Sequence, residues 1–275
     1  MNLDFLIKEA LKEDLGRRGD VTSECLLEKG KKESFILIVN ENAVISGLDL
    51  FKGVFKCLNK KIVLKTRFKD GDIVKKGTKV ISLHGDVISI LTGERTAINF
   101  ISHLSGIATE TRKLVNSIKS KNTKLLDTRK TTPLYRNLEK KAVFHGGGIN
   151  HRMTLSDMVL IKDNHISSSG SVNNAVLKAK KKYKGKLKIE VEVENLAQLK
   201  EAIDACPDVI MFDNWDIKNF KNALKLVPKK IKTEISGQIN PLNIKKYANI
   251  GADYISTSYM IKNSKWVDFS LEVSK

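Results

Sequence analysis

The chain has 275 residues, of which 49 are Lys or Arg and 31 are Asp or Glu, giving a formal net charge of +18. Hydrophobic residues make up 41%, and Gly (17) and Pro (4) are few, which excludes collagen-like and disordered chains. The three cysteines (Cys25, Cys57 and Cys206) form no CxxC pair, so neither a disulfide framework nor a zinc site is indicated. We expect a globular chain of one or two domains.

The first part of the chain is predicted to hold a helix, a small antiparallel sheet and a second, long helix. Apolar residues recur at helical spacing over residues 3–14, and again over 93–118. Strands are predicted at three short runs, residues 35–39, 44–45 and 62–68. The Asp70-Gly71 turn signal and the apolar residues that follow it predict an antiparallel hairpin over 69–83.

From residue 124 onward, short apolar strands alternate with helical stretches. The predicted strands begin at residues 124, 158, 187, 209, 233 and 254. This spacing is typical of consecutive βα units with a parallel sheet. Six units in one run favour a closed or nearly closed barrel, although a complete barrel has eight. We therefore expect an α/β chain that ends in an incomplete parallel α/β barrel.

Polar residues follow the predicted barrel strands. They are Asp127-Thr128-Arg129-Lys130, Lys162-Asp163-Asn164-His165, Asp213-Asn214, Ser236-Gly237 and Ser256-Thr257-Ser258. The C-terminal ends of barrel strands share one face, and that face holds the active site. We therefore expect these residues to converge there, together with the loop that runs from Gly146 to Arg152.

The charges of this set indicate the chemistry of the ligand. The cationic members are Arg129, Lys130, His151, Arg152 and Lys162, and such groups bind carboxylate or phosphate. Glu192 and Asp213 suit ribose hydroxyls, a cationic transition state or a divalent metal on a pyrophosphate. The sequence thus predicts a site for a highly anionic substrate and a phosphorylated sugar.

Each candidate also has a structural alternative. Arg129 and Lys130 alone could be ordinary loop cations, Asp213 a helix N-cap, and His151 a structural hydrogen-bonding group. Lys162 is harder to explain structurally, because a lysine that closes a buried strand is costly without a partner.

Three glutamates alternate along the third barrel strand, and we expect one or two of them to line the site. Glu190, Glu192 and Glu194 share one face of the strand because successive side chains alternate. Inward carboxylates that serve no ligand would be costly in a barrel, which favours a functional role.

The basic surplus leaves two kinds of partner open. It would suit nucleic acid or small anionic substrates. Aromatic residues are only 6% of the chain and do not interleave with the lysine runs, which disfavours nucleic acid. No apolar run reaches the roughly 18 residues of a membrane span, and the N-terminus lacks signal-peptide features. We expect a soluble, cytoplasmic protein with no membrane partner.

Several motifs together resemble the quinolinate phosphoribosyltransferase family. The most specific stretches are Asp127-Thr128-Arg129-Lys130-Thr131-Thr132-Pro133, Gly146-Gly147-Gly148, His151-Arg152-Met153 and Leu160-Ile161-Lys162-Asp163-Asn164-His165. The match continues in order through Gly93-Glu94-Arg95-Thr96-Ala97, Glu190 to Asn195, Phe212-Asp213-Asn214 and Glu234-Ile235-Ser236-Gly237. It covers essentially the whole chain.

The resemblance implies an architecture and a reaction. It implies an N-terminal α/β sandwich domain over 1–105, joined by the tail 266–275, and a catalytic α/β barrel over 106–265. It also implies a homodimer, sometimes assembled further, in which Arg95 enters the neighbouring site. The implied reaction transfers 5-phosphoribosyl from phosphoribosyl pyrophosphate to quinolinate with Mg²⁺. It gives nicotinate mononucleotide, pyrophosphate and CO₂ in NAD biosynthesis.

The resemblance also implies roles for single residues. Arg95, Arg129, His151, Arg152 and Lys162 would bind the quinolinate carboxylates, and Thr128 belongs to the same substrate-binding stretch. Lys130 would meet the pyrophosphate or 5-phosphate, and Glu192 and Asp213 the ribose hydroxyls, directly or through Mg²⁺. Ser236, Gly237, Ser256, Thr257 and Ser258 would surround the 5-phosphate. The implied catalytic residues are Lys130, Lys162, Glu192 and Asp213, and no direct protein ligand to the metal is implied.

The sequence departs from the family pattern at three places. Gln238 stands where a second glycine usually follows Ser236-Gly237, Thr257-Ser258 lie near another usual glycine, and Leu134 replaces the glycine after Pro133. A Cβ can block close approach of the backbone to a phosphate, so the phosphate-loop roles carry over less directly.

Two alternatives make different predictions. A homologue associated with molybdenum transport would act on a different substrate, and we expect it to lack the Lys162–His165 block that is intact here. A non-catalytic barrel that binds nucleic acid through its lysines predicts steeply salt-dependent affinity. It leaves the inward carboxylates unexplained.

Overall fold

A computed structural model of the chain describes residues 3–120 and 122–274. Its contacts form two compact units. The first takes in the chain up to Arg112, residues 132–147 and the chain from Asn263 onward, and the second takes in 113–131 and 148–262. Residues 132–147 thus belong to the first unit, whereas the sequence analysis includes them in the barrel domain. The domain boundary between residues 105 and 106 stays a prediction.

The helices and strands are numbered in chain order. The helices are α1 Leu3–Leu15, α2 Val21–Leu26, α3 Leu48–Leu58, α4 Val87–Ser117, α5 Arg136–His145, α6 Asp163–Ser169, α7 Val172–Tyr183, α8 Leu196–Ala205, α9 Ile217–Leu224, α10 Ile244–Ala248 and α11 Tyr259–Lys262. The strands are β1 Lys32–Val39, β2 Ala43–Val44, β3 Val63–Lys65, β4 Ile73–Val74, β5 Lys79–Asp86, β6 Lys124–Leu126, β7 Val159–Ile161, β8 Ile189–Val193, β9 Val209–Asp213, β10 Lys232–Ser236, β11 Tyr254–Ser256 and β12 Phe269–Val273. Among the described residues, every helix is too short or too polar to span a lipid bilayer.

The first unit contains an antiparallel sheet with strand order β12-β1-β5-β3. Leu37 and Val39 of β1 are fully buried, as are Phe51 and Phe55 of α3. Burial of each such side chain contributes roughly 1.5–3 kcal/mol, so this apolar layer holds the unit together. The last strand, β12, pairs with β1, from Phe35 opposite Val273 to Val39 opposite Phe269.

The predicted hairpin over 69–83 is wrong. Its first strand, β4, pairs with β2, with Val74 opposite Ala43, whereas β5 pairs with β1 and β3. The two predicted arms therefore lie in different sheets. Turn residues indicate where the chain reverses, but the partner of a two-residue strand is set by packing against distant residues.

The second unit confirms the predicted parallel α/β architecture. Its six strands form one parallel sheet in the order β6-β11-β10-β9-β8-β7. The end strands β6 and β7 are not neighbours in this order, and Ile149 adds a single parallel bridge to Leu126 of β6. The sheet is therefore the incomplete barrel that the strand count predicts.

Candidate active site

A cavity of about 360 Å³ lies at the carboxyl ends of the barrel strands, within the second unit. Its lining residues are Asp127, Thr128, Arg129, Lys130, His151, Arg152, Leu160, Lys162, Glu192, Met211, Asp213, Glu234, Ser236 and Ser256. The structure thus brings together ten of the predicted site residues. These are Thr128, Arg129, Lys130, His151, Arg152, Lys162, Glu192, Asp213, Ser236 and Ser256.

Four predicted residues do not line this cavity. Gly237 follows Ser236 with a φ of 98°, and a Cβ there would meet the backbone nitrogen of Asn214 at 2.7 Å. Thr257 is buried, and its hydroxyl donates to the carbonyl of Ile239 at 2.7 Å. Ser258 directly precedes α11 and is half-buried. Arg95 is exposed on α4, in the first unit.

Strand alternation explains which side chains face the cavity. Lys162 follows Leu160 by two residues, and Asp213 follows Met211 in the same way, so each pair shares one face. On β8 the same rule aligns the glutamates, and they differ in depth. Glu190 is buried, Glu192 is half-buried and lines the cavity, and Glu194 is exposed beyond the end of the strand.

Lys162 has the partner that its position requires. Its ammonium group forms an ion pair with Oε1 of Glu192, across the neighbouring strands β7 and β8. Burial raises the pKa of Glu192 above its usual value, although the hydrogen bond from Lys162 opposes this shift. The pair places a cation and an anion side by side in the cavity wall.

Two guanidinium groups form the cationic part of the cavity. Burial lowers the pKa of Arg152, and the nearby charge of Arg129 lowers it further. The buried Nε of Arg129 has no hydrogen-bond partner. Adjacent like charges and an unpartnered donor indicate that an anionic ligand is needed here.

The hydrogen bonds of His151 define its tautomer. Its Nδ1 accepts the backbone N–H of Arg152 at 2.8 Å, so this nitrogen carries no proton. Its Nε2 lies 3.0 Å from Oε2 of Glu190 and donates to it. The ring is therefore neutral, whereas the sequence placed it among the cations.

Asp127 lines the cavity, at the face where the sequence predicts it to converge with the residues that follow it, although the sequence gives it no role of its own. Its carboxylate is fully buried and accepts hydrogen bonds from Nδ2 of Asn150 at 2.6 Å and from the backbone N–H of His151 at 2.8 Å. These bonds hold the loop that carries His151 and Arg152 against the end of β6.

Glu234 belongs to a motif that the sequence shares with the family, but the sequence reasoning did not place it in the site. It is 1% exposed and lines the cavity two residues before Ser236, on the same face of β10. This two-residue spacing from Ser236 is the sequence signal that places Glu234 on the cavity face of the strand. Burial raises its pKa well above the usual value, and the nearby Glu190 adds to the shift. Burial also raises the pKa of Glu190, to about 7.

Two departures from the family pattern share one backbone feature. Leu134 has a φ of 67° and Gln238 a φ of 51°, both in the left-handed region that favours glycine. The chain therefore keeps at both positions the conformation that a glycine would adopt most easily.

The first unit has a larger cavity of different character. It measures about 550 Å³ and is lined by Ala10, Glu13, Asp14, Thr96, Asn99, Phe100, His103, Thr132, Tyr135 and Trp266. None of these described lining residues is Lys or Arg. An anionic substrate therefore fits the barrel cavity better.

Comparison with known proteins agrees with this assignment. The family models described as the N-terminal and C-terminal domains of quinolinate phosphoribosyl transferase match residues 20–105 and 107–272. A probable nicotinate-nucleotide pyrophosphorylase [carboxylating] of Bacillus subtilis is 40% identical over 100% of this chain and 94% of its own length.

Two solved structures are also similar to this chain. The nicotinate-nucleotide pyrophosphorylase of Francisella tularensis superposes with a TM-score of 0.95 at 41% identity, covering 99% of this chain and 96% of that one. The enzyme of the same name from Ehrlichia chaffeensis gives 0.94 at 36% identity, covering 100% and 99%.

Proposed function

The chain belongs to the quinolinate phosphoribosyltransferase family, and we propose that its barrel cavity is where quinolinate receives the phosphoribosyl group. The family models and the relatives indicate quinolinate phosphoribosyltransferase (carboxylating) activity in NAD biosynthesis, making nicotinate mononucleotide. The observation that carries the assignment of the site is the placement of Arg129, Arg152 and the Lys162–Glu192 pair in one cavity.

The quinolinate half of the site is cationic. Arg129 and Arg152 would each bind a carboxylate of the substrate, and a dianion would relieve their mutual repulsion. Lys162 would exchange part of its contact with Glu192 for the substrate. His151 is neutral and both its nitrogens are engaged, so we assign it to positioning Arg152 rather than to the carboxylate clamp.

The sugar half of the site is anionic. Glu192 and Asp213 would bind the ribose hydroxyls and stabilise the positive charge that develops on the ring as pyrophosphate leaves. Ser236 and Ser256 line the same cavity, and with Gly237, Thr257 and Ser258 they would surround the 5-phosphate. Lys130, exposed at the rim, would meet the pyrophosphate.

The available oxygen atoms fit a Mg²⁺ ion that arrives with phosphoribosyl pyrophosphate. Glu192 and Asp213 offer carboxylate oxygens, the ligand type that Mg²⁺ prefers. Glu192 is already paired with Lys162, and Oδ2 of Asp213 accepts a hydrogen bond from Nδ2 of Asn214 at 2.8 Å. These side chains would therefore meet the ion through water or ribose hydroxyls. When bound, Mg²⁺ would neutralise charge on the leaving pyrophosphate.

Positioning accounts for much of the proposed catalysis. With its carboxylates held by Arg129 and Arg152, the pyridine ring presents its nitrogen to the anomeric carbon, which makes the attack effectively unimolecular. The bond from this carbon to the pyrophosphate oxygen breaks as the new C–N bond forms. The ring nitrogen is then cationic, and this favours loss of the adjacent C2 carboxylate as CO₂.

We also propose that the enzyme is a cytoplasmic homodimer in which Arg95 enters the neighbouring site. Arg95 is exposed on α4 and thus accessible to a second copy of the chain. Mixing inactive Arg95→Ala and Arg129→Ala chains tests this. Random exchange of subunits would restore about 25% of wild-type activity, because half of the dimers would carry one intact site of two. No recovery after verified subunit exchange would exclude the shared site.

The activity itself is tested by a direct assay. Purified protein is incubated with quinolinate, phosphoribosyl pyrophosphate and Mg²⁺, and pyrophosphate and nicotinate mononucleotide are measured. Nicotinate serves as the control acceptor, since it lacks one carboxylate. Turnover with quinolinate and little with nicotinate is expected. A preference for nicotinate would contradict the carboxylating assignment.

A further inference from the structure

Three titratable side chains form a cluster beneath the substrate cavity. Nε2 of His151 and carboxylate oxygens of Glu190 and Glu234 all lie within 4.8 Å of one another. Both carboxyl groups are 1% exposed. A metal site would need a lone pair on Nε2, but this nitrogen carries the proton of the ring, because Nδ1 accepts the N–H of Arg152. The cluster is therefore suited to holding protons rather than a metal ion.

The two acids of this cluster are not equivalent. Glu190 accepts the N–H of His151 at 3.0 Å, and the charges of Arg152 and Lys162 favour its ionised form. Glu234 lies 3.7 Å from the same nitrogen, too far for a hydrogen bond. The two buried carboxyl groups have oxygens within 4.8 Å of one another, where both cannot ionise. Burial raises the pKa of Glu234 well above its usual value, so Glu234 is the acid that keeps a proton at neutral pH.

Of the two acids, Glu234 is the one that reaches the substrate cavity. It lines the cavity, and Glu190 is not among the lining residues. Oε1 of Glu234 and Oγ of Ser256 are both buried there without a hydrogen-bond partner. A buried polar atom left without a partner at a cavity wall indicates a position that a ligand contacts.

When the C2 carboxylate leaves as CO₂, the C2 carbon of the pyridine ring needs a proton. The inference that follows rests on the proposed carboxylating function. We propose that Glu234 is the acid that protonates C2 of the pyridine ring when CO₂ leaves. The bond between C2 and its carboxylate breaks, the electron pair stays on C2, and C2 takes the proton of Glu234. The resulting Glu234 carboxylate regains a proton from solvent after the product leaves. Lys162 is a weaker acid by chemical class, and its ammonium is engaged by Glu192.

The test separates glycosyl transfer from decarboxylation in a single turnover. Quinolinate labelled in its C2 carboxyl group, phosphoribosyl pyrophosphate and Mg²⁺ are mixed with excess enzyme, and quenched samples are analysed for pyrophosphate, CO₂ and quinolinate mononucleotide. In Glu234→Gln we expect pyrophosphate release within about 3-fold of wild type. We expect CO₂ release to slow by on the order of 10²-fold, because an unprotonated C2 anion recaptures CO₂. Quinolinate mononucleotide would accumulate.

Glu194→Gln is the matched control, since it removes an exposed carboxyl group of the same barrel and should leave both steps unchanged. If Glu234→Gln slows both steps equally, Glu234 only shapes the site and the proposal is wrong. If neither step changes, it is also wrong. Absence of pyrophosphate release in the wild-type protein would instead overturn the proposed function.

A second measurement on the wild-type enzyme covers the case in which Glu234→Gln does not fold. Glu190 and His151 are the titratable groups that face Glu234, and deprotonation of Glu234 at rising pH would remove the donor. CO₂ release should then fall at alkaline pH while pyrophosphate release in the same samples does not. Parallel pH profiles for the two steps would contradict the proposal.

Discussion

Each unit of the molecule contains a histidine hydrogen-bonded to a buried glutamate, and the two pairs differ in how fully the glutamate is satisfied. In the first unit, Nε2 of His103 lies 3.2 Å from Oε1 of Glu139. In the second, Nε2 of His151 lies 3.0 Å from Oε2 of Glu190. Glu139 is 0% exposed and Glu190 1%, so burial alone does not distinguish them.

The second oxygen of each carboxylate makes the difference. Oε2 of Glu139 accepts the backbone N–H of Thr132 at 2.9 Å. Burial raises the pKa of Glu139, but the hydrogen bonds from His103 and Thr132 outweigh it and leave the pKa below the usual value. Oε1 of Glu190 has no partner, and burial raises the pKa of this carboxyl group to about 7. A buried carboxylate whose two oxygens both accept hydrogen bonds indicates a structural role. Two neighbouring buried carboxyl groups that each have an oxygen without a hydrogen-bond partner indicate a functional role.

The largest expected effect tests whether the barrel cavity is the substrate site. Arg129→Ala should lower kcat/KM for quinolinate by on the order of 10³-fold, because in the proposed site a substrate carboxylate would lose its charged partner. The measurement is initial-rate pyrophosphate release at varied quinolinate. The free energy of unfolding should change little, since Arg129 lies in a loop after β6.

Arg17→Ala is the control for this variant, since it removes an exposed arginine of the first unit. It should leave kcat/KM within about 2-fold, as expected for a surface substitution away from the site. Equal losses in both variants would mean that the net positive charge of the chain, rather than the barrel cavity, attracts the substrate.

The two glutamates should give opposite pH dependences of stability. The folded-state pKa of Glu139 is lowered, so its stabilisation is present above the unfolded pKa of about 4.3 and is lost as pH falls through the folded value. Glu139→Gln should therefore cost about 1–3 kcal/mol of unfolding free energy at pH 7 and progressively less below pH 4.

Glu190 has a raised folded-state pKa, so between about 4.3 and 7 the folded state binds more protons and stability falls as pH rises. Glu190→Gln removes this loss while keeping an acceptor for His151. As pH rises from 5 to 8, the unfolding free energy of this variant should therefore increase relative to that of the wild type by about 2–3 kcal/mol in total, since each pH unit below the folded-state pKa is worth 1.36 kcal/mol. Urea unfolding of the wild-type protein and the two variants from pH 3 to pH 8 measures both effects. Parallel curves would remove the distinction between the two pairs.

The parts of the molecule that the sequence predicts correctly are those with local signals. The six barrel strands follow from short apolar runs at βα spacing, and their ends bring Arg129, Lys162 and Asp213 into one cavity. The convergence of these residues follows from the rule that parallel barrel strands end at one face, which needs no knowledge of distant contacts.

The parts that the sequence does not predict depend on partners far along the chain. The pairing of Val74 with Ala43 is set by packing, so the turn at Asp70-Gly71 misleads. The neutral tautomer of His151 depends on the direction of one backbone N–H. The raised pKa of Glu234 depends in part on Glu190, which is 44 residues away in the sequence but has a carboxylate oxygen within 4.8 Å of Glu234.

The smallest expected effect concerns two backbone positions, one in each unit, where this chain lacks a glycine that its family usually has. Leu134 and Gln238 both have positive φ, which costs a residue with a Cβ about 1–2 kcal/mol. Leu134 is 78% exposed, so its side chain adds little by burial. After the entropy cost of glycine in the unfolded chain, Leu134→Gly should gain about 0.5–1 kcal/mol in unfolding free energy.

Leu134→Ala is the matched control for this variant, because it keeps the Cβ and should give no gain. Gln238→Gly should show the same relief of strain in the barrel unit. Because Gln238 follows Ser236-Gly237, this variant should also lower the KM for phosphoribosyl pyrophosphate, whereas Leu134→Gly should not. Urea unfolding and initial rates at varied phosphoribosyl pyrophosphate check the pair. A gain in Leu134→Ala equal to that in Leu134→Gly would show that the leucine side chain, not the backbone conformation, costs stability.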